Sequence, residues 1–239
     1  MKNKIKQLSL SDEIIKLFQA DLISVITHPR SLLEKAQISS KTLLLIFNNK
    51  FTFSTFSTII NTNKELSKLI AQNMPLIFTE EEIINSCDIF PIEFYEILAT
   101  GEVLYGKKLN DLVDIKNTNL RLQIESNLRR NIILLRQEYF IRKKELPLLL
   151  KESLNNVLLS LNNLLRLQDN YTQELNPRQI LLKATEFLSI NVESFFVIIR
   201  ELESPINKNK KDIINWNGLF HNYLNELASI VREVDALEV

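Results

Sequence analysis

One run constrains this chain more than any other: Thr118 to Lys144, TNLRLQIESNLRRNIILLRQEYFIRKK. Leu120, Ile124, Leu128, Ile132, Leu135 and Tyr139 recur at spacings of three and four, the period of a helix with one apolar face. Ile133, Leu134 and Ile141 widen that face, so the helix is expected to pack on more than one neighbour. Arg121, Glu125 and Arg129 stand four apart on the polar side, which supports the helix by about 0.2–0.5 kcal/mol per opposite-charge pair. Asn117 or Thr118 can accept the first free amide hydrogens, and Pro147 closes the region because proline lacks an amide donor. Before this run, short β-branched stretches alternate with helical ones; after it, only helical periods remain. The predicted class is α+β: a small mixed-sheet domain over residues 1–115, then an all-α bundle over residues 116–239.

Composition narrows the possible activities. The chain has 29 basic and 29 acidic side chains and a hydrophobic fraction of 45%. It can bury a core, yet it carries no overall charge for nucleic acid or an anionic membrane. Cys87 is the only cysteine, so no intramolecular disulfide can form. The longest apolar runs, such as Leu43–Phe47, fall far short of the roughly 20 residues that span a bilayer. The N-terminus MKNKIKQLSLSDE has no apolar signal core. A soluble, cytoplasmic protein is expected. Only three glycines occur, Gly101, Gly106 and Gly218, and none stands in a Gly-x-Gly-x-x-Gly or Walker loop. The glycine count therefore argues against P-loop and Rossmann-type nucleotide binding.

Taken in order, a helix is expected over Glu13–Gln19 and a strand over Leu22–Thr27, broken by His28-Pro29-Arg30. Thr42–Phe47, apolar on both faces, reads as a central strand. A helix over Ser54–Asn73 and a strand over Pro75–Phe78 follow. Thr79-x-x-Glu82 is a capping box for Glu80–Asn85. Asp88–Ile97 reads as a fourth strand whose proline marks an edge or a bulge, and a short helix spans Leu109–Ile115. Beyond the long helix, further helices are expected over Leu146–Leu167, Pro177–Leu188 (capped by Asn176), Val192–Leu202 and Asn215–Val234. Ser204–Lys211 reads as a linker.

Several pieces in this order resemble a family of bacterial proteins: a nucleotidyltransferase domain of the DNA polymerase β superfamily followed by a helical, HEPN-like or substrate-binding domain. They are residues 22–47 (LISVITHPRSLLEKAQISSKTLLLIF), 74–83 (MPLIFTEEEI), 88–97 (DIFPIEFYEI), 101–109 (GEVLYGKKL) and 120–140 (LRLQIESNLRRNIILLRQEYF). The resemblance covers about Asp21 to Leu167. It implies a Gly-Ser turn that holds a triphosphate, and an Asp-x-Asp pair with a third carboxylate that holds two magnesium ions. Here His28-Pro29 stands in the Gly-Ser place. Ser40 and Thr42 replace the two metal carboxylates, with Lys41 between them. Glu93 (or Glu96) is left as the candidate residual carboxylate. Neutral hydroxyls hold a divalent ion poorly, so the catalytic residues implied by the resemblance are missing.

Other candidates are weaker. His28 and His221 have no cysteine or second histidine at ligand spacing. Cys87 has no partner for nucleophilic chemistry. Arg121, Arg129, Arg130, Arg136, Arg142, Lys143 and Lys144 form a basic run interleaved with Glu125, Glu138 and Glu145, a solvated helix face before an RNA or nucleotide site. Within it, Arg121 and Arg129 are the candidate binding residues. The Arg-x4–6-His spacing of HEPN ribonucleases is absent. The expected protein is an inactive nucleotidyltransferase-like one that acts by binding a protein partner, a second copy or a nucleotide. It takes no cofactor, no membrane and no nucleic acid. The alternative is an active transferase with a non-standard Mg2+ site, and an antitoxin-like partner role stands third.

Overall fold

A computed structural model describes residues 2–29, 41–169, 175–203 and 214–238. The chain divides into two units, Met1–Lys116 and Asn117–Val239.

In the first unit four strands form one mixed sheet in the order β3-β2-β1-β4. These are β1 (Leu22–Pro29), β2 (Lys41–Phe47), β3 (Leu76–Thr79) and β4 (Glu102–Gly106). β1 runs antiparallel to both β2 and β4, and β2 runs parallel to β3. Leu43 through Phe47 are each 0% exposed, as expected of a strand apolar on both faces. Alternation divides them between two cores. Leu43, Leu45 and Phe47 pack with Leu10, Ile14 and Phe18 of α1 (Lys2–Phe18). The same core takes Phe56 and Ile60 of α2 (Phe53–Thr62) and Leu66 of α3 (Lys64–Asn73). On the other face, Leu44 and Ile46 meet Ile83 of α4 (Glu80–Asn85) and Phe94 and Ile97 of α5 (Pro91–Thr100).

Six expectations for this unit need correction. The first helix begins at Lys2, not Glu13, and the helix expected over Leu109–Ile115 is only a 3-10 turn, Leu109–Asp111. β1 does not break at His28 but runs through Pro29. β4 pairs only as far as Thr27, so the missing amide hydrogen of Pro29 has no β4 partner to lose. The helix expected over Ser54–Asn73 is two helices. Asn63 ends α2, its amide donating to the Ile60 carbonyl, and starts α3, its Oδ1 accepting from Glu65 and Leu66. Asp88–Ile97 is not a strand: Pro91 opens α5, in the first turn where its missing donor costs nothing. The fourth strand is Glu102–Gly106, which ends on Gly106 at φ +78°. A Cβ there would lie 1.9 Å from the Ile23 carbonyl oxygen, so only glycine fits.

The second unit is helical: α6 (Asn117–Ile141), α7 (Leu146–Asp169), α8 (Pro177–Phe187), α9 (Glu193–Glu203) and α10 (Trp216–Asp235). α6 buries Leu120, Ile124, Leu128, Ile132 and Leu135, the face its period predicts. Pro147 lies in the first turn of α7. Asn176 and Gln179 form a reciprocal capping box at the start of α8. Asn131 Nδ2 donates to the Ser153 carbonyl at 3.1 Å, and Ser153 Oγ meets the Tyr223 hydroxyl at 2.9 Å, so one buried polar chain links α6, α7 and α10. Burial raises the Tyr223 phenol far above its ordinary range, so it remains a neutral hydrogen-bonding group. Among the described residues, no helix is long and apolar enough to cross a membrane.

Candidate functional site

Three of the positions that the sequence singles out, His28, Pro29 and Thr42, lie at one end of the sheet. His28 of β1 stands opposite Thr42 of β2, and Pro29 opposite Lys41. His28 and Thr42 are buried, at 8% and 4% exposure. Ser40 lies outside the described residues, as do residues 30–39.

Thr42 is already committed. Its hydroxyl donates to the Asn73 carbonyl at 2.8 Å and lies 3.2 Å from the Met74 carbonyl. Those carbonyls belong to the C-terminal end of α3, where Met74 caps the helix in the left-handed region at φ 44°. The last carbonyls of a helix are unsatisfied acceptors at the negative end of its dipole. A hydroxyl donor fits there, whereas a carboxylate would face two carbonyl oxygens with nothing to donate.

Glu93 is exposed and sits in the first turn of α5, not on a strand. The carboxylate that the sheet itself brings to this end is Glu102, which pairs with Thr27 of β1. Val103, Leu104 and Tyr105, between two glycines, carry the strand propensity that places it there. Among the described residues, this end of the sheet holds the His28 imidazole, the Thr27 and Thr42 hydroxyls and the Glu102 carboxylate. Two magnesium ions need several anionic oxygens, so the described residues do not fit the pair that the resemblance implies. No group of three or more His, Cys, Asp or Glu side chains able to hold a metal occurs among the described residues.

Arg121 and Arg129 lie in the helical unit and are tied to the end of α10. Arg121 Nη1 donates to Glu125 at 3.1 Å and to the Val234 and Asp235 carbonyls at 3.3 Å. Arg129 donates to Glu125 at 2.6 Å and to the Asp235 carboxylate at 3.0 Å. Cations at a helix C-terminus stabilise its free carbonyls. Burial pushes the Glu125 carboxyl up, but the Arg129 and Arg121 hydrogen bonds and charges outweigh it and hold it below the usual glutamate range. A carboxyl lowered in the folded state stabilises above its unfolded value, and that contribution is lost as pH falls through the folded value. Acid titration of stability should therefore show a loss below about pH 4.5 that Glu125→Gln reduces, read by urea midpoints from pH 3 to 7.

His221 is exposed on α10, its ring 5.9 Å from that of Tyr139. Cys87 is buried, and its thiol donates to the Ile83 carbonyl.

No protein-family model matches the chain, and no curated protein matches its sequence. Among solved structures, the chain is similar to spectinomycin adenyltransferase AAD(9) from Enterococcus faecialis, crystallised with ATP and spectinomycin. The match has a TM-score of 0.50 at 14% identity and covers 94% of this chain and 99% of that one. The likeness is one of fold: a nucleotidyltransferase-like α+β unit followed by a helical part.

Proposed function

We propose that this protein is a nucleotidyltransferase-fold protein that acts by binding and does not transfer a nucleotidyl group. The supporting observation is the Thr42 hydroxyl. At the position that the resemblance assigns to a metal carboxylate, it closes the end of α3 through the Asn73 and Met74 carbonyls. The position has a structural use incompatible with a magnesium ligand.

A second reading, nucleotidyl transfer through a non-standard site, draws on Glu102, the carboxylate in register with Thr27. It also draws on the fold shared with an adenyltransferase solved with ATP. Isothermal titration with ATP, with and without Mg2+, separates the two. The expected result is no magnesium-dependent binding. Tight binding that requires magnesium and is lost in Glu102→Gln would overturn the binding-only reading.

A further inference from the structure

Two exposed surfaces of the chain are complementary in charge and alike in apolar content. The first is the turn that joins α4 to α5. Residues 80–96 hold six acidic side chains and no basic one. Hydrogen bonds from the Ile89 and Phe90 amides to the Ser86 carbonyl, at 3.1 and 2.9 Å, fold the turn so that it presents Ile84, Ile89 and Phe90. These are 51%, 61% and 43% exposed. Glu80 pairs with Lys107 and Glu82 serves the capping box, whereas Glu81 and Asp88 are exposed beside the apolar group.

The second surface is the outer side of α6, opposite its buried face. Ile133 and Phe140 stand seven residues apart, two helical turns, and so do Leu134 and Ile141. The two columns lie side by side, and Phe140 and Ile141 are each 82% exposed. Residues 129–144 carry six basic side chains and one acidic one. Arg129 and Arg142 are held by carboxylates, while Arg130, Arg136 and Lys144 are exposed around the apolar columns.

We propose that the α4–α5 turn of one copy docks on the outer face of α6 of a second copy. Burying large apolar side chains supplies the attraction, and the opposite charges fix the orientation and exclude self-pairing of either face, which would set like charges together. A contact between two different patches is heterologous, so copies add head to tail and either close into a ring or continue. The inference does not rest on the loss of transferase chemistry, and the ATP titration and the following experiment fail separately.

The experiment is analytical ultracentrifugation of the full chain at low and high salt. Wild type should associate with rising concentration, about tenfold or more weakly in 1 M than in 0.1 M salt, because ions screen the charge pairing. Glu81→Lys/Asp88→Lys and Phe140→Ser/Ile141→Ser change only exposed side chains, and circular dichroism verifies their folding. Each alone should sediment as a 27.9 kDa monomer. Mixed, each supplies the face that the other lacks, so a one-to-one dimer that grows no further should form. A wild type that stays monomeric, variants that associate like wild type, or a mixture that remains monomeric would each overturn the proposal.

Discussion

Thr42→Asp, the substitution that restores a carboxylate where the resemblance expects a metal ligand, should destabilise the first unit by about 3 kcal/mol and recruit no magnesium. The residue is 4% exposed, and its hydroxyl donates to the last carbonyls of α3. An aspartate there loses the donor, gains charge and faces two carbonyl oxygens. It would relieve the conflict by taking up a proton, since a protonated carboxyl can donate where Thr42 does now. The aspartate's folded pKa is then raised, so the penalty should be small below its unfolded value, near 3.9, and should grow as pH rises through the folded value. Thr42→Val keeps the shape and loses only the donor, so its cost should be about 1–2 kcal/mol and independent of pH. Urea unfolding of both variants at pH 4 and pH 8, with and without Mg2+, checks this. If magnesium restored Thr42→Asp to wild-type stability, the sheet end would be a metal site one residue short, and the binding-only reading would fall.

Phe47→Ala should cost about 3–5 kcal/mol, borne by the first unit alone. Phe47 is 0% exposed at the end of the central strand. Its ring stacks on Phe51 with centroids 3.8 Å apart and meets Phe18 and Phe56 edge-on at 5.6 and 6.0 Å. Truncation removes the ring that strand, helix and loop share, and these rigid neighbours cannot collapse into the space. Phe47→Leu fills most of the volume and should cost under about 1.5 kcal/mol. The single tryptophan, Trp216, lies in α10 and reports the second unit. Under denaturant, Phe47→Ala should move the first unit's share of the circular dichroism loss to lower urea and leave the Trp216 fluorescence midpoint in place. A shift of both together would mean that the two units unfold as one.

β2 was legible in the sequence because a strand buried on both faces is apolar at every position, and Leu43–Phe47 have no other use. α6 was legible from its period, the Thr79–Glu82 box from two side chains that reach one turn along a helix, and α8 from Asn176-Pro177. α5 was misread because alternating apolar residues and a proline serve equally for a strand edge or a helix start, and packing against Leu44 and Ile46 decides between them. The misreading carried Glu93 onto a strand and hid Glu102, whose place depends on the partner β4 finds in the sheet. The roles of Arg121 and Arg129 depended on the end of α10, more than a hundred residues further along the chain.

By itself, then, the sequence determined the local periods, the Thr79 and Asn176 caps and the change from mixed to all-helical elements near residue 117. Those properties rest on side chains within a few residues of one another. Only the tertiary structure decided what the singled-out side chains touch. Thr42 closes a helix thirty-one residues away, Glu102 comes to the sheet end, and arginines of α6 hold the end of α10. Each depends on which distant backbone groups folding brings within reach, and no local pattern encodes that choice.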